Sequence, residues 1–367
     1  MGIGVLALVC AICTVLAAVI GSFVGFSLGT VSGLSSSDQP LTLLQGKKDV
    51  VLTDIPEGSE YSNLTVPQIA ALVGESVVEI TTTQVQTNTF YGQYITSGAG
   101  SGVIFTEDSV SGYIVTNFHV IKGANEVSVR VKSGDSYRDY PATYVGGDDG
   151  EDIAVIKINK VDNEKFVIAA FGDSSDLRIG EQVVAIGNPL GQLGGTVTDG
   201  IISALDREII VDNNTMVLLQ TNAAINPGNS GGGLFDTAGL LVGIVNAKQS
   251  STGIEGLGFA IPSNTVKKHV TDILEKGYIS GRPTIGVTVT EQTYNSQTFV
   301  FVTEASNTSF RQNDLITKIG DVDITSLSVY NSTLKGLTIG DTVRVTVYRN
   351  RSYLTVDVTV TENTLPY

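Results

Sequence analysis

Asn226-Pro227-Gly228-Asn229-Ser230-Gly231-Gly232 is the stretch on which the reading of this chain turns. Taken alone it describes an ordinary loop, because Pro, Gly and Asn are the residues of tight turns. Its weight comes from two short runs upstream. His119 lies in Thr116-Asn117-Phe118-His119-Val120, directly after a run that reads as a strand. Asp152 opens Asp152-Ile153-Ala154-Val155-Ile156-Lys157, at the start of another. His, Asp, Ser is one of the orders in which a catalytic triad occurs along a chain. Breaking an amide needs a nucleophile, a base to take its proton, and a group that holds the base in one tautomer. Ser230, His119 and Asp152 can fill those roles. The chain has only 2 histidines. The second, His269, flanks an apolar helical stripe and reads as a helix-surface residue.

Outward from these motifs the chain is rich in short β-branched runs. Val77 to Ile80, Val103 to Phe105, Tyr113 to Val115, Val127 to Val131 and Ile153 to Ile158 form one set, separated by Gly, Asn and Asp turns. Val183 to Ile186, Thr196-Val197, Val217 to Leu219 and Leu240 to Val245 form a second. Two such sets predict two small barrels. A short helix capped by Thr65, with Pro67 in its first turn, precedes the first set. A longer helix closes the second, capped by Ser263 or Asn264, ended by Gly277, and burying Val266, Val270, Ile273 and Leu274. From Arg282 to Val360 a third strand-rich unit follows.

The three motifs resemble those of the HtrA/DegP family of trypsin-fold serine proteases. So do Ser97-Gly98-Ala99-Gly100-Ser101-Gly102, Gly187-Asn188-Pro189 and Gly258-Phe259-Ala260-Ile261-Pro262. The resemblance spans about residues 66–362. It implies a mainly β fold: a trypsin-like double β-barrel over 66–278, then a PDZ-like domain over 282–362. It also implies a serine endopeptidase that degrades unfolded or damaged proteins, with the Gly228 and Ser230 amides as an oxyanion hole. By the same resemblance Ile225 and the loop near Ser250 to Glu255 shape the substrate pocket, although Ile225 reads equally well as core. Asn222, where the family has Asp, and Gly233, where it has Pro or Ala, are departures.

In the third unit, Arg282-Pro283-Thr284-Ile285-Gly286-Val287 resembles a PDZ carboxylate-binding loop and its following strand. Asn313-Asp314-Leu315-Ile316 resembles the family's Gly-Asp-x-Ile step, with Asn313 in place of Gly. The segment Ser306 to Gln312 is shorter than its family counterpart. The resemblance implies that Thr284, Ile285 and Gly286 receive peptide C-termini, beside a helix near Ser328 to Leu334. A spacer without peptide affinity is the competing reading of this unit.

Residues 2–37 carry no charged side chain. A membrane helix needs about 20 apolar residues, so residues 1–32 read as a single-pass anchor and 33–65 as a linker; a cleaved signal peptide is the competing reading, against which stand the length of the run and the missing basic start. The other domains are then expected outside the cytoplasm. Gly21, Gly25 and Gly29 recur every four residues, a spacing that permits close helix approach but is also common in membrane helices. Both cysteines, Cys10 and Cys13, lie in this run, so the rest of the chain has no disulfide and no thiolate metal site. The mechanism calls for no metal or organic cofactor. A net charge of -15 argues against nucleic acid as a partner. Family resemblance implies a homo-oligomer, a trimer. A second reading stays open: a membrane-tethered peptide-binding or chaperone module with residual protease activity.

Overall fold

The computed structural model describes residues 63–88, 92–133, 136–161, 164–188, 195–247 and 256–364. The anchor read over 1–32, nearly all of the linker over 33–65, Pro189 and the segment Ser250 to Glu255 lie outside these residues. Among the described residues no helix is long and apolar enough to cross a membrane.

The first helix, α1 (Val66–Val73), starts where the sequence places it. Pro67 sits in its first turn, and the Thr65 N–H donates to Gln68 Oε1 at 2.9 Å. Six strands then close a barrel: β1 (Val77–Asn88), β2 (Gly92–Glu107), β3 (Ser111–Thr116), β4 (Glu126–Ser133), β5 (Ser136–Asp148) and β6 (Ile153–Asn159), in the order β1-β2-β3-β6-β5-β4. A one-turn helix, α2 (Phe118–Ile121), follows β3.

A second closed barrel follows, in the order β10-β11-β12-β9-β8-β7. Its strands are β7 (Gln182–Gly187), β8 (Thr196–Val211), β9 (Asn214–Thr221), β10 (Gly233–Phe235), β11 (Leu241–Asn246) and β12 (Gly258–Pro262).

Strand β6 shows why its sequence is an unbroken apolar run. Ala154, Ile156 and Ile158 fill the interior of the first barrel, whereas Ile153 and Val155 join a separate cluster with Ile186, Phe235 and Ile244 of the second barrel. A strand buried on both faces has no polar alternation. That shared cluster fixes the two barrels against each other and sets up the cleft between them.

Helix α3 (Ser263–Lys276) closes the second barrel and buries Val266, Val270 and Ile273, and Gly277 ends it at φ 82° in the left-handed region. Two expectations need correction. Pro262 holds the cap position, while Ser263 Oγ donates to Gly172 O and Asn264 Nδ2 to Asp173 Oδ1. His269 is not on the surface: it is 6% exposed, and no hydrogen bond reaches its Nδ1 among the described residues.

The third unit holds the sheet β14-β15-β16-β18-β19, built from β14 (Val287–Tyr294), β15 (Gln297–Ala305), β16 (Leu315–Ile319), β18 (Thr342–Arg349) and β19 (Ser352–Thr359). β17 (Val322–Asp323) pairs with β16, and β13 (Pro283–Thr284) pairs with β20 (Thr361–Glu362). Helix α4 (Leu327–Lys335) packs on one face, with Ile285, Val300, Ile316, Tyr330 and Val347 in the core. Polar contacts join this unit to the barrels. Arg282 pairs with Asp148, and Lys335 Nζ lies 3.1 Å from Glu151 Oε1. Asn331 Nδ2 donates to Asn214 Oδ1 at 2.8 Å. The first two contacts fall on the loop that leads into Asp152.

Candidate active site

The three residues singled out in the sequence meet at the seam between the barrels. His119 is on α2, Asp152 immediately precedes β6, and Ser230 lies in the loop before β10. Asp152 adopts φ 50°, in the left-handed region that Asp tolerates better than most residues other than Gly. Its carboxylate is buried. Oδ1 accepts the His119 backbone N–H at 2.9 Å, and Oδ2 accepts His119 Nδ1–H at 2.8 Å. A carboxylate only accepts, so the proton sits on Nδ1 and the Nε2 lone pair is free. Nε2 faces Ser230 Oγ at 3.1 Å. The arrangement can take the hydroxyl proton onto Nε2 while Asp152 steadies the resulting imidazolium.

Several residues that hold this geometry had no role assigned in the sequence. Asn246, fully buried at the end of β11, donates from Nδ2 to Asp152 Oδ2 at 2.9 Å. Asn117 Nδ2 donates to Asp152 O at 3.1 Å. The Ala247 N–H donates to Ser230 Oγ at 3.1 Å, a second contact on the hydroxyl beside the imidazole.

Ser101, inside the glycine-rich run noted in the sequence, is a bridge. Its Oγ accepts the Asn188 N–H at 2.8 Å and donates to Gly228 O at 2.6 Å, and its own N–H donates to Ser230 O at 2.8 Å. Gly228 stands at φ 100°, which a Cβ would strain. Among the described residues neither the Gly228 nor the Ser230 amide has a hydrogen-bond acceptor.

Beside Ser230 and His119 lies a cleft of about 430 Å³, walled by Thr82, Gln84, Ser97, Gly98 and Pro227. Ile225 does not line it. It is 8% exposed and packs with Leu177, Val183 and Ala223 in the second barrel, its Cγ1 against Gly258. Of the two departures, Asn222 accepts the Ile201 N–H at 2.7 Å through Oδ1. Gly233 has Phe235 ring atoms where a Cβ would stand, which accounts for glycine there.

In the third unit, Ile285 is buried in the core and Gly286 adopts φ 78°. The Gly286 N–H donates to Thr284 Oγ1 at 3.1 Å, and Gly286 O accepts the N–H groups of Ser306 and Asn307. The loop is thus braced internally, with the open edge of β14 and helix α4 beside it. Asn313 adopts φ 69°, where Asn substitutes well for Gly.

Two family models match the chain: a trypsin-like peptidase domain over residues 100–244 and a PDZ domain over 283–360. The serine protease Do-like HtrB of Bacillus subtilis is 37% identical over 390 residues, covering 95% of this chain and 82% of that protein. The chain belongs to the HtrA/DegP family of serine proteases. As a member of that family it is a serine-type endopeptidase with a trypsin-like domain and a PDZ domain, and it acts on peptide and protein substrates. The periplasmic serine endoprotease DegP of Salmonella typhimurium is 36% identical, over 71% of this chain and 56% of that protein. A solved structure of the HtrA-type protease AlgW with a decapeptide superposes with a TM-score of 0.54 at 29% identity, covering 83% of this chain and all of that one.

Proposed function

We propose that this HtrA/DegP-type endopeptidase is anchored in the membrane by residues 1–32 and degrades unfolded or damaged proteins outside the cytoplasm. In this reading 33–65 is a linker, 66–278 the protease domain and 282–362 the PDZ domain. Ser230 Oγ attacks the scissile carbonyl as His119 Nε2 takes its proton. The oxyanion forms against the Gly228 and Ser230 amides. His119 then protonates the leaving amine, and water, activated by the same imidazole, releases the acyl group from Ser230. Ile225 shapes the primary specificity pocket from within the core, behind Gly258. Thr284, Ile285 and Gly286 receive peptide C-termini through their backbone, and the working enzyme is a homotrimer.

The observation that carries this reading is the continuous relay from Ser230 Oγ to His119 Nε2 at 3.1 Å and from Nδ1 to Asp152 Oδ2 at 2.8 Å. The periplasmic DegP relatives support the extracytoplasmic location, and the charge-free run over residues 2–37 supports the anchor. The test compares cleavage of a denatured model protein by the full chain and by Ser230→Ala. Loss of about 10⁴-fold or more is expected. Equal turnover would return the chain to the peptide-binding or chaperone reading.

A further inference from the structure

The outer face of the C-terminal sheet breaks the rule for a sheet covered on one side only. Such strands alternate apolar toward the core and polar toward solvent. Here the core row is Val300, Ile316 and Val347, in register across β15, β16 and β18. The next row, on the opposite face, is also apolar: Phe301 pairs with Leu315, Leu315 with Tyr348, and Tyr348 with Tyr353. Tyr348 and Tyr353 have ring centroids 5.1 Å apart, and Phe299 lies 6.4 Å from Phe301. Among the described residues no helix covers this face, because α4 packs on the other one.

The aromatic row is part of a concave trench of about 710 Å³, lined by Tyr294, Phe299, Phe301, Leu315, Tyr348 and Arg311. Its wall holds two cations and one anion. Arg349 is committed to Asp314 through two hydrogen bonds of 2.6 Å. Arg311 is exposed, and its guanidinium makes no hydrogen bond among the described residues. The trench is therefore apolar with one surplus positive charge, in a chain of net charge -15. That balance suits a segment combining aromatic or aliphatic side chains with an acid.

The place of the trench identifies the source of that segment. A peptide whose terminal carboxylate sits at Thr284 to Gly286 must run antiparallel to β14, since that loop precedes the strand. β14 has 8 residues and ends at Tyr294. At about 3.4 Å per residue, an added strand reaches Tyr294 roughly eight residues before its C-terminus. Tyr294 is also a wall of the trench. A longer chain that turns over the β14 edge at this point enters the aromatic face. We propose that the trench is a second docking site for the same substrate polypeptide. It binds an apolar, acidic stretch about 8 to 12 residues upstream of a C-terminus held in the β14 groove. The proposal rests on the carboxylate-binding reading given above.

The test uses the full chain carrying Ser230→Ala and fluorescent peptides with one shared C-terminus. A six-residue peptide probes the groove alone. A fourteen-residue peptide adds Leu-Phe-Asp upstream, and its control carries Gly-Ser-Gly there. The Leu-Phe-Asp peptide is expected to bind about tenfold more tightly than the other two. Phe301→Ser and Arg311→Glu should each remove most of that gain and leave the six-residue affinity unchanged. If the short peptide binds and the long one gains nothing, or its gain survives both variants, the trench proposal is overturned while the groove stands. If no peptide binds, the groove reading falls and takes the trench with it.

Discussion

Replacing Asn246 by Ala tests whether the relay depends on residues beyond the three in the sequence motifs. Asn246 Nδ2 donates to Asp152 Oδ2 at 2.9 Å, on the same oxygen that receives His119 Nδ1–H. Both Asn246 and Asp152 are buried, so water does not replace the lost donor readily. A hydrogen bond to a charged group is worth about 1.5–3 kcal/mol. The bond fixes Oδ2 toward His119, so its loss lets Asp152 turn away from the imidazole that takes the proton. If most of that energy is felt in the transition state, kcat falls about 10- to 100-fold, at 1.4 kcal/mol per tenfold, with KM little changed. Asn246→Ser, which keeps a short donor, should recover part of the loss. The assay is steady-state hydrolysis of a short fluorogenic peptide, with a melting curve for each variant to separate unfolding from lost chemistry. An Asn246→Ala enzyme within about twofold of the parent in kcat would show that the relay does not depend on Asn246.

Ser101→Ala should lower kcat on the same peptide by about tenfold or more, because the hydroxyl that holds Gly228 O and Asn188 N–H is gone and the oxyanion donors lose their setting; an unchanged kcat would dissociate Ser101 from catalysis. Burial holds His269 below its ordinary value, helped by Lys268 and Lys335 and opposed by Glu151 and Asp272. Between its folded value and about 6.5 the unfolded chain binds the extra proton, so stability falls on acidification through that window. Melting temperature should therefore drop more between pH 7 and 5 in the parent than in His269→Gln, and equal slopes would contradict this. Gly286→Asp places a Cβ 2.9 Å from the Asn307 Cβ at a left-handed φ and adds an anion where a carboxylate is to bind. C-terminal peptide binding should be lost while short-peptide hydrolysis persists, as a binding titration beside the hydrolysis assay would show.

The parts of the fold legible in the sequence are those where local pattern and tertiary burial agree. β6 could be read because both its faces are buried, and α3 because Val266, Val270 and Ile273 share one face. Most of β8 could not. Its register shifts between Ile202 and Ala204 and again before Arg207, and Asp206 turns left-handed, so the two-residue alternation is broken. β5 was hidden by its exposed, polar first half and by Pro141. His269 lay at the edge of the helical stripe, and the groups that act on it from other elements, Glu151 and Lys335, are distant in the chain. The three relay residues carried motif signals. Asn246 did not, and Ser101 lay in the glycine-rich run without showing its role, because each acts on a partner 94 or 127 residues away.

The most direct measurement is covalent labelling of the full chain with a serine-directed fluorophosphonate, with the adduct located by peptide mass. One adduct is expected, on Ser230, abolished in His119→Ala and strongly reduced in Asp152→Ala. An adduct on another serine, or labelling of Ser230 that survives the loss of His119, would contradict this.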